Sequence, residues 1–275
     1  MIIFKKLAGF LPCGTDFTKK RCLFGIYNVP LHRYSGNNKK KMVILQDIDK
    51  HHVAESFSAL WEPLSEEQRY YLLQNITIQG YRKNELIYQQ GDIPSNLMCL
   101  VCGKVKIYRD GVGGRNQVVR MVNECGLFGY RAAFAAENYI TTASAFEASV
   151  VCLIPIPVIQ QLIRDNNQVA IYFIKQLAHL LGNADMRLVN LTQKHIRGRL
   201  ADSLIQLKEK YGVEADGETL NIHLSREDLA ALSNMTTSNA IRTLSSFAAE
   251  HLISIDGKKI KIIENDELRK VSVMG

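Results

Sequence analysis

The segment Leu224–Ile263 constrains the fold of this chain more than any other stretch. Ser225 opens a helical pattern with an acidic residue three positions later, the spacing of a capping box. The three residues "SNM" predict a short turn, and Thr236 can cap a second helix. Alternating apolar residues around Asp256 and Gly257 then indicate a β-hairpin with a two-residue loop. Two short helices, a turn and a hairpin predict a winged helix-turn-helix.

The second helix of this segment has an apolar and a polar side. On a helical wheel Ile241, Leu244 and Ala248 cluster and are expected to pack inward. The polar arc is expected to face the major groove of double-stranded DNA, and the predicted DNA contacts in this helix and its cap are Thr236, Thr237, Ser238, Asn239, Arg242 and Ser246. Lys258 and Lys259 in the hairpin are expected to reach phosphate. The alternative is a helical pair that makes protein contacts, with solvated polar residues.

Two side chains of the polar arc suit base recognition. Arg242 can donate two hydrogen bonds to guanine, and Asn239 can pair with adenine or bind a phosphate. The net charge of +7 adds little to this argument, because residues 1–41 hold nine Lys and Arg against one acidic residue. Residues 192–275 carry 12 basic and 12 acidic residues, so DNA contact must come from a local patch.

The N-terminal part has no regular period. Residues 1–41 are expected to form a loose basic tail or a translated leader, with the working start at Met42. Because the chain has no run of eighteen apolar residues, no membrane span is predicted, and a cytoplasmic location is expected. A helical pattern over Val53–Leu73 includes a Ser-x-x-Gln capping box at Ser65. Short segments rich in Val, Ile and aromatic residues then predict a small antiparallel β-barrel or sandwich between about Ile76 and Ile154.

A long helical stretch follows the predicted strands. Its apolar positions lie three or four residues apart, as in the seam of a coiled coil: Phe173, Leu177, Leu180, Ala184, Leu188 and Leu191. About 22 residues at roughly 1.5 Å each give a helix of about 33 Å. We expect this seam to meet its copy in a homodimer; the alternative is a helix that lies across the barrel. Thr192–Lys194 is the predicted hinge before a helix that ends at Gly212.

The order of barrel, long helix, hinge and winged motif over residues 50–265 resembles the Crp/Fnr family of bacterial transcription regulators. The resemblance implies an α+β fold with an N-terminal antiparallel β-barrel (a cyclic-nucleotide-binding-like jelly roll), a long dimerisation helix and a C-terminal winged helix-turn-helix. The implied divisions are a tail (1–41), a sensor domain (50–165), a dimerisation helix with hinge (166–194) and a DNA-binding domain (195–275). Its partners would be double-stranded DNA, a second copy and RNA polymerase. No enzyme activity and no membrane partner are expected.

The family's base-reading run falls on residues 236–242. Only its final arginine is retained, as Arg242, and Thr237 and Ser238 replace the usual Arg-Glu pair. The operator common in the family is therefore not expected.

The family's phosphate-binding cassette falls on Gly126–Ala145. Tyr130 replaces the usual glutamate, and the arginine position falls on Tyr139 or Ile140, so cyclic AMP is not expected. Another anion could use the helix that begins near Arg131. The predicted effector-binding residues are Gly129, Tyr130, Arg131, Tyr139, Thr141 and Thr142. The alternative is that Arg131 pairs with Glu137 or solvent and aromatic rings fill the pocket.

Cysteine and histidine leave two other interpretations open. Cys99 and Cys102 have Cys-x-x-Cys spacing, but on a strand these positions face opposite sides, which favours structural thiols over a metal site. His179 on the long helix leaves haem open. A redox, haem or nitrosative-stress sensor of the same fold is therefore the first alternative, with the cofactor unassigned. The second is a protein-interaction module that contains the barrel and does not bind DNA.

Overall fold

The computed structural model describes residues 49–111 and 116–274, together with the backbone strand β1 (Val43–Ile44). The predicted basic tail, residues 1–41, lies outside the described residues. None of the described helices combines the length and the apolar composition that a membrane crossing requires.

The helical pattern near the N-terminus forms three short helices. They are α1 (Lys50–Glu55), α2 (Ser58–Trp61) and α3 (Glu66–Asn75). The capping box at the start of α3 is confirmed, because the Ser65 hydroxyl accepts from the Gln68 amide at 3.2 Å and the Gln68 side chain accepts from the Ser65 amide at 3.1 Å.

The predicted strands form two antiparallel sheets. Their members are β2 (Thr77–Tyr81), β3 (Leu86–Tyr88), β4 (Asn96–Cys102), β5 (Val105–Asp110), β6 (Asn116–Val122), β7 (Leu127–Phe128), β8 (Thr142–Ala145) and β9 (Ser149–Pro155). One sheet has the order β1-β2-β9-β4-β7 and the other β3-β8-β5-β6. Buried residues from both sheets, such as Leu100, Val105 and Val151, share one core. This two-sheet arrangement confirms the jelly-roll prediction.

A bulge in β6 decides which way its side chains point. Ile107 pairs with Arg120 and Tyr108 pairs with Val118, so Val119 has no opposite residue. The extra residue shifts the alternation of side chains by one position. Val118 and Met121 therefore pack against the C-terminal region, whereas Arg120 lies on the barrel side near Tyr130.

Helix α4 (Tyr130–Phe134) lies within the cassette, between β7 and β8. The barrel is followed by α5 (Ile156–Asp165) and α6 (Asn167–Gln193). The 27 residues of α6 give a helix of about 40 Å. Its first turns pack on the barrel through Phe173, whose ring centroid lies 5.5 Å from that of Tyr130 and 5.1 Å from that of Phe134. Phe173 is therefore buried in its own chain, and its assignment to the dimer seam was wrong.

The C-terminal region contains α7 (Ile196–Tyr211), α8 (Arg226–Leu232), α9 (Thr237–Ala249), β10 (Ile253–Asp256), β11 (Lys259–Ile262) and α10 (Asn265–Met274). Helix α6 ends at Gln193, so the break before α7 lies at Lys194 and His195 and overlaps the predicted hinge only at Lys194. Leu204 and Phe247 are among the buried residues of this region's core. Val118 and Met121 of β6 join that core and bring the barrel against α8.

Candidate DNA-binding and effector sites

The helix-turn-helix forms where capping residues predicted it. The Ser225 hydroxyl accepts from the Asp228 amide at 3.0 Å at the start of α8, and the Thr236 hydroxyl accepts from the Asn239 amide at 3.2 Å at the start of α9. Asn234 in the turn has a φ of 50°, a left-handed conformation that asparagine tolerates better than most residues. Local hydrogen bonding therefore fixes both helix starts and the reversal between them.

The buried face of α9 differs from the predicted one. Ala240, Leu244 and Phe247 are buried, whereas Ile241 is 47% exposed, so the prediction that Ile241 packs inward was wrong. The ring of Phe247 and the side chain of Leu244 pack into the core, and Ile241 lies about 100° around the helix from Ala240. An exposed isoleucine on this edge was missed from sequence, and it could contact the methyl group of a thymine.

The polar residues of α9 divide into exposed and engaged groups. Ser238 and Arg242 are exposed, and Arg242 donates to the Asn239 side chain at 3.1 Å. Thr236 is also exposed, and Thr237 is half-buried. Ser246 is different, because it accepts from the Arg197 guanidinium at 2.8 Å and donates to Glu250 at 2.7 Å.

Ser246 is therefore held by its own chain. The Arg197 guanidinium lies 4.7 Å from the centroid of the Phe247 ring and also pairs with Glu250, which fixes this small network against α9. The assignment of Ser246 to DNA contact needs this correction, since its hydroxyl is already used. The exposed edge is the part around Ser238 and Arg242.

The hairpin β10–β11 forms the wing. Asp256 pairs with Lys259, so the two-residue loop is Gly257 and Lys258, one residue later than predicted. Gly257 has a φ of 55°, which the turn requires and glycine adopts without strain. Arg226 of α8 donates to the Gly257 carbonyl at 3.0 Å and holds the wing against the helix pair.

The two wing lysines are not equivalent. Lys259 forms an ion pair with Glu214 at 3.0 Å, so the prediction that it is available for phosphate is corrected. In the part of the chain that the structure describes, Lys258 takes part in no ion pair. Lys258 therefore remains the predicted phosphate contact of the wing.

Helix α6 exposes a line of apolar residues along its length. Ile174, Leu181 and Leu188 are 65%, 64% and 62% exposed and recur every seven residues. Between them lie half-buried Leu177 and exposed Ala184, and the exposed face ends at Leu191. Leu180 and Ala184, both predicted in this seam, also line a cavity beside the barrel.

That cavity has a volume of about 690 Å³ and is bounded by the barrel, α6 and α7. Four of the predicted effector residues line it: Gly129, Arg131, Tyr139 and Thr141. Two do not. Tyr130 is buried against Phe173, and the Thr142 hydroxyl accepts from the Gln90 amide at 3.1 Å between two strands, so their assignment to the pocket is corrected.

Aromatic rings and an ion pair occupy part of the cassette. Arg131 pairs with Glu137 at 3.2 Å, which is the alternative considered from the sequence. The rings of Tyr88 and Tyr139 stack at 3.8 Å. The Tyr139 hydroxyl is buried without a hydrogen-bond partner among the described residues, and burial raises the pKa of this phenol. The cavity is therefore aromatic at the barrel end.

Three cations that line the cavity were missed from sequence: Arg120, Arg187 and Lys210. Burial lowers the pKa of each of them, and the two arginines help to lower that of Lys210 to about 8. The β6 bulge hides Arg120, because strict alternation would place it on the opposite side of the strand. Arg187 and Lys210 look like ordinary surface charges in a helical sequence.

The cysteines are enclosed by the sheet. Cys99 and Cys152 stand opposite each other in β4 and β9, and burial raises the pKa of both thiols, to about 12 for Cys152. Burial also raises the pKa of Cys102. Within the described ranges no group of three or more His, Cys, Asp or Glu side chains could hold a metal ion.

A jelly-roll domain joined by a long helix to a winged helix-turn-helix defines a class of DNA-binding transcription regulators. The family model for a cyclic nucleotide-binding domain matches residues 78–166, and the model for a Crp-like helix-turn-helix domain matches residues 198–271. Together they match more than half of the chain. The chain belongs to the Crp/Fnr family of transcription regulators.

The relatives agree with this assignment. A CRP-like cAMP-activated global transcriptional regulator of Mycobacterium tuberculosis is 22% identical over 191 residues, which cover 69% of this chain and 85% of the relative. The anaerobic regulatory protein of Bacillus subtilis is 26% identical over 204 residues, covering 73% and 86%. The solved structure of FixK2 from Bradyrhizobium japonicum has a TM-score of 0.65 at 21% identity and covers 71% of this chain and 96% of FixK2. The two relatives compared by sequence are regulators, not enzymes.

Proposed function

We propose that this transcription regulator binds a specific DNA sequence as a homodimer and that an effector other than cyclic AMP, bound between barrel and long helix, reorients its DNA-binding helices. The working divisions are a sensor domain over residues 50–165, a dimerisation helix with hinge over 166–194 and a DNA-binding domain over 195–275. The same proposal includes RNA polymerase as a partner and a cytoplasmic location for the protein. The observation that carries it is the exposed edge of α9.

That edge has the chemistry for base recognition. Ser238 and Arg242 are exposed, while the opposite face of α9 packs into the core through Leu244 and Phe247. A short hydroxyl permits close approach, and a guanidinium can donate to two acceptors of guanine. The N-terminus of α9, which Thr236 caps, also presents backbone amides of the kind that can bind a phosphate.

Homodimerisation is supported by the heptad line on α6. Ile174, Leu181 and Leu188 present large apolar side chains to solvent in the single chain. Their spacing of seven residues suits a left-handed coiled coil with a second copy of α6. In such a dimer the two recognition helices are related by a twofold axis. They can then bind two DNA half-sites about 34 Å apart.

The effector proposal departs from cyclic AMP because of residue types in the cassette. Tyr130 is packed in the core, and no cation replaces the phosphate-binding arginine at Tyr139. A cyclic phosphate at that point would lose water without a charged partner in return. The cavity at this position is nevertheless large enough for a small-molecule ligand, and residues of the barrel, α6 and α7 line it.

Duplex binding over a series of salt concentrations tests the DNA-binding part. Wild-type protein should retain a pool of random duplexes with an affinity that falls as salt rises, because bound cations displace counterions. Lys258→Ala should weaken binding uniformly and reduce the salt slope by about one.

Arg164→Ala is the matched control. Arg164 lies on α5, where it donates to Gln161, and its loss should leave the slope unchanged. Absence of salt-dependent retention by the wild type would refute DNA binding and favour a protein-interaction module.

A further inference from the structure

We infer that Ile241, on the exposed edge of α9, contacts the methyl group of a thymine and makes the protein select that base in each DNA half-site. This inference rests on the proposed function, because it requires α9 to lie in the major groove. It deepens that function by assigning a specificity-determining residue and one base of the bound sequence.

Among the described residues of α9, only Ile241 combines a large apolar side chain with an exposed position. The exposed edge includes Ser238, Ile241, Arg242 and Ser245, which recur three or four residues apart along the helix. Ile241 is 47% exposed, whereas Leu244, one turn later, is 1% exposed. A duplex docked on this edge would therefore meet one branched hydrocarbon side chain among polar groups.

The side chains around Ile241 are short. Thr237 and Ser238 lie one turn before it, and Ser245 lies one turn after it on the exposed side. Serine and threonine side chains extend less far from a helix than an isoleucine side chain does. Ile241 therefore projects beyond these neighbours, and they leave room for the edge of a base pair to reach it.

The other flank of this edge is polar. Arg242 donates to the Asn239 amide oxygen at 3.1 Å, which holds the guanidinium on the Asn239 side of the helix. A guanidinium has five N–H donors, so Arg242 retains donors for guanine. At 3.6 residues per turn, Ile241 and Asn239 lie about 160° apart around α9, with Arg242 between them. The base that Ile241 contacts is therefore different from the base that Arg242 binds.

The chemistry of the major groove determines which base suits Ile241. Thymine presents a methyl group there, whereas adenine, guanine and cytosine present hydrogen-bond donors and acceptors. Isoleucine cannot pair with those polar groups, and it would remove them from water without a partner. Contact with the thymine methyl group instead removes apolar surface of both molecules from water. Thymine is therefore favoured by the contact, and the other bases are disfavoured by lost hydration.

Replacement of each thymine by deoxyuridine, which lacks only the methyl group, tests the contact. The duplex is the strongest binder that the wild-type full chain selects from a random pool, and its thymines are replaced one at a time. At one thymine in each half-site, the replacement should weaken wild-type binding about fourfold. This is the loss expected for one methyl group that is buried in the complex.

The variant Ile241→Ala should bind the thymine and the deoxyuridine duplex equally well, because it lacks the side chain that contacts the methyl group. Alanine is the better helix former, so α9 should remain intact. Ile93→Ala is the matched control. It makes the same change at an isoleucine that is 79% exposed between β3 and β4 of the barrel. This control should retain the fourfold sensitivity of the wild type.

The inference is overturned if wild-type binding is insensitive to the methyl group at every thymine of the selected duplex. It is also overturned if Ile241→Ala retains the full sensitivity, or if Ile93→Ala abolishes it. A wild type that selects and binds a sequence without this sensitivity disproves only the thymine contact. A wild type that binds no duplex disproves the proposed DNA binding and, with it, this contact.

Discussion

Replacing Leu181 by alanine tests the dimer face of α6 quantitatively. The substitution removes three carbon atoms, worth about 0.8 kcal/mol each when fully buried. Leu181 is 64% exposed in the single chain, so about 1.5 kcal/mol of this is available to the interface from each copy. A twofold interface contains the side chain twice, which gives about 3 kcal/mol and raises the dimer dissociation constant about 100-fold.

Sedimentation at several protein concentrations measures that constant. Alanine is the better helix former, so Leu181→Ala should leave α6 intact. Met186→Ala is the control, because Met186 is 63% exposed but lies about 140° around the helix from Leu181. A constant unchanged by Leu181→Ala, or raised equally by Met186→Ala, would refute the heptad face.

Three further predictions concern stability and reactivity. Phe247→Ala, at a fully buried ring, should lower the free energy of unfolding in urea by about 3–5 kcal/mol, and a loss under 1 kcal/mol would contradict the packing of α9. Burial would raise the pKa of Asp228, but the Lys106 ammonium at 2.8 Å and a neighbouring hydroxyl outweigh it and hold that pKa below its ordinary value. Its stabilisation is therefore present above the unfolded pKa and lost as pH falls, so Asp228→Asn should flatten the acid dependence of unfolding; an unchanged slope would contradict this. A thiol reagent should label Cys99 and Cys152 only after unfolding, because burial raises the pKa of both, and rapid native labelling would instead support the redox alternative.

Local signals in the sequence predicted the order of the elements. Ser65, Ser225 and Thr236 each cap the helix that follows, and such caps depend only on residues within one turn. The wing followed from one glycine between alternating apolar residues, although its loop lies one residue later. The strands followed from composition and turn residues. Fold class and family were therefore accessible before any tertiary contact was known.

The errors arose at positions where tertiary contacts determine whether a side chain is buried or paired. Phe173 fits the spacing of the seam, but the rings of Tyr130 and Phe134 bury it in its own chain. Lys259 has the right position for phosphate, but Glu214 lies across from it in space. Periodicity predicts the direction in which a side chain points from its helix. It does not predict which other element packs against that side.

The effector cavity was predicted least well for the same reason. Its cations come from a strand and two helices far apart in sequence, and no local pattern connects them. The face on which Arg120 lies was not predicted, because the bulge at Val119 interrupts the alternation of side chains from which strand faces are predicted. Tyr139 was recognisable as aromatic, but the lack of a hydrogen-bond partner for its hydroxyl among the described residues is a property of the folded chain.

Selection of bound duplexes from a random pool by the purified full chain is the sharpest test of base recognition by α9. We expect an inverted repeat whose half-sites lie about one helical turn apart, roughly 34 Å. Arg242→Ala should relax one base position in each half at a cost of about 1–3 kcal/mol. A selected pool with no common sequence, or the same sequence preference after Arg242→Ala, would contradict the assignment of α9 to base recognition.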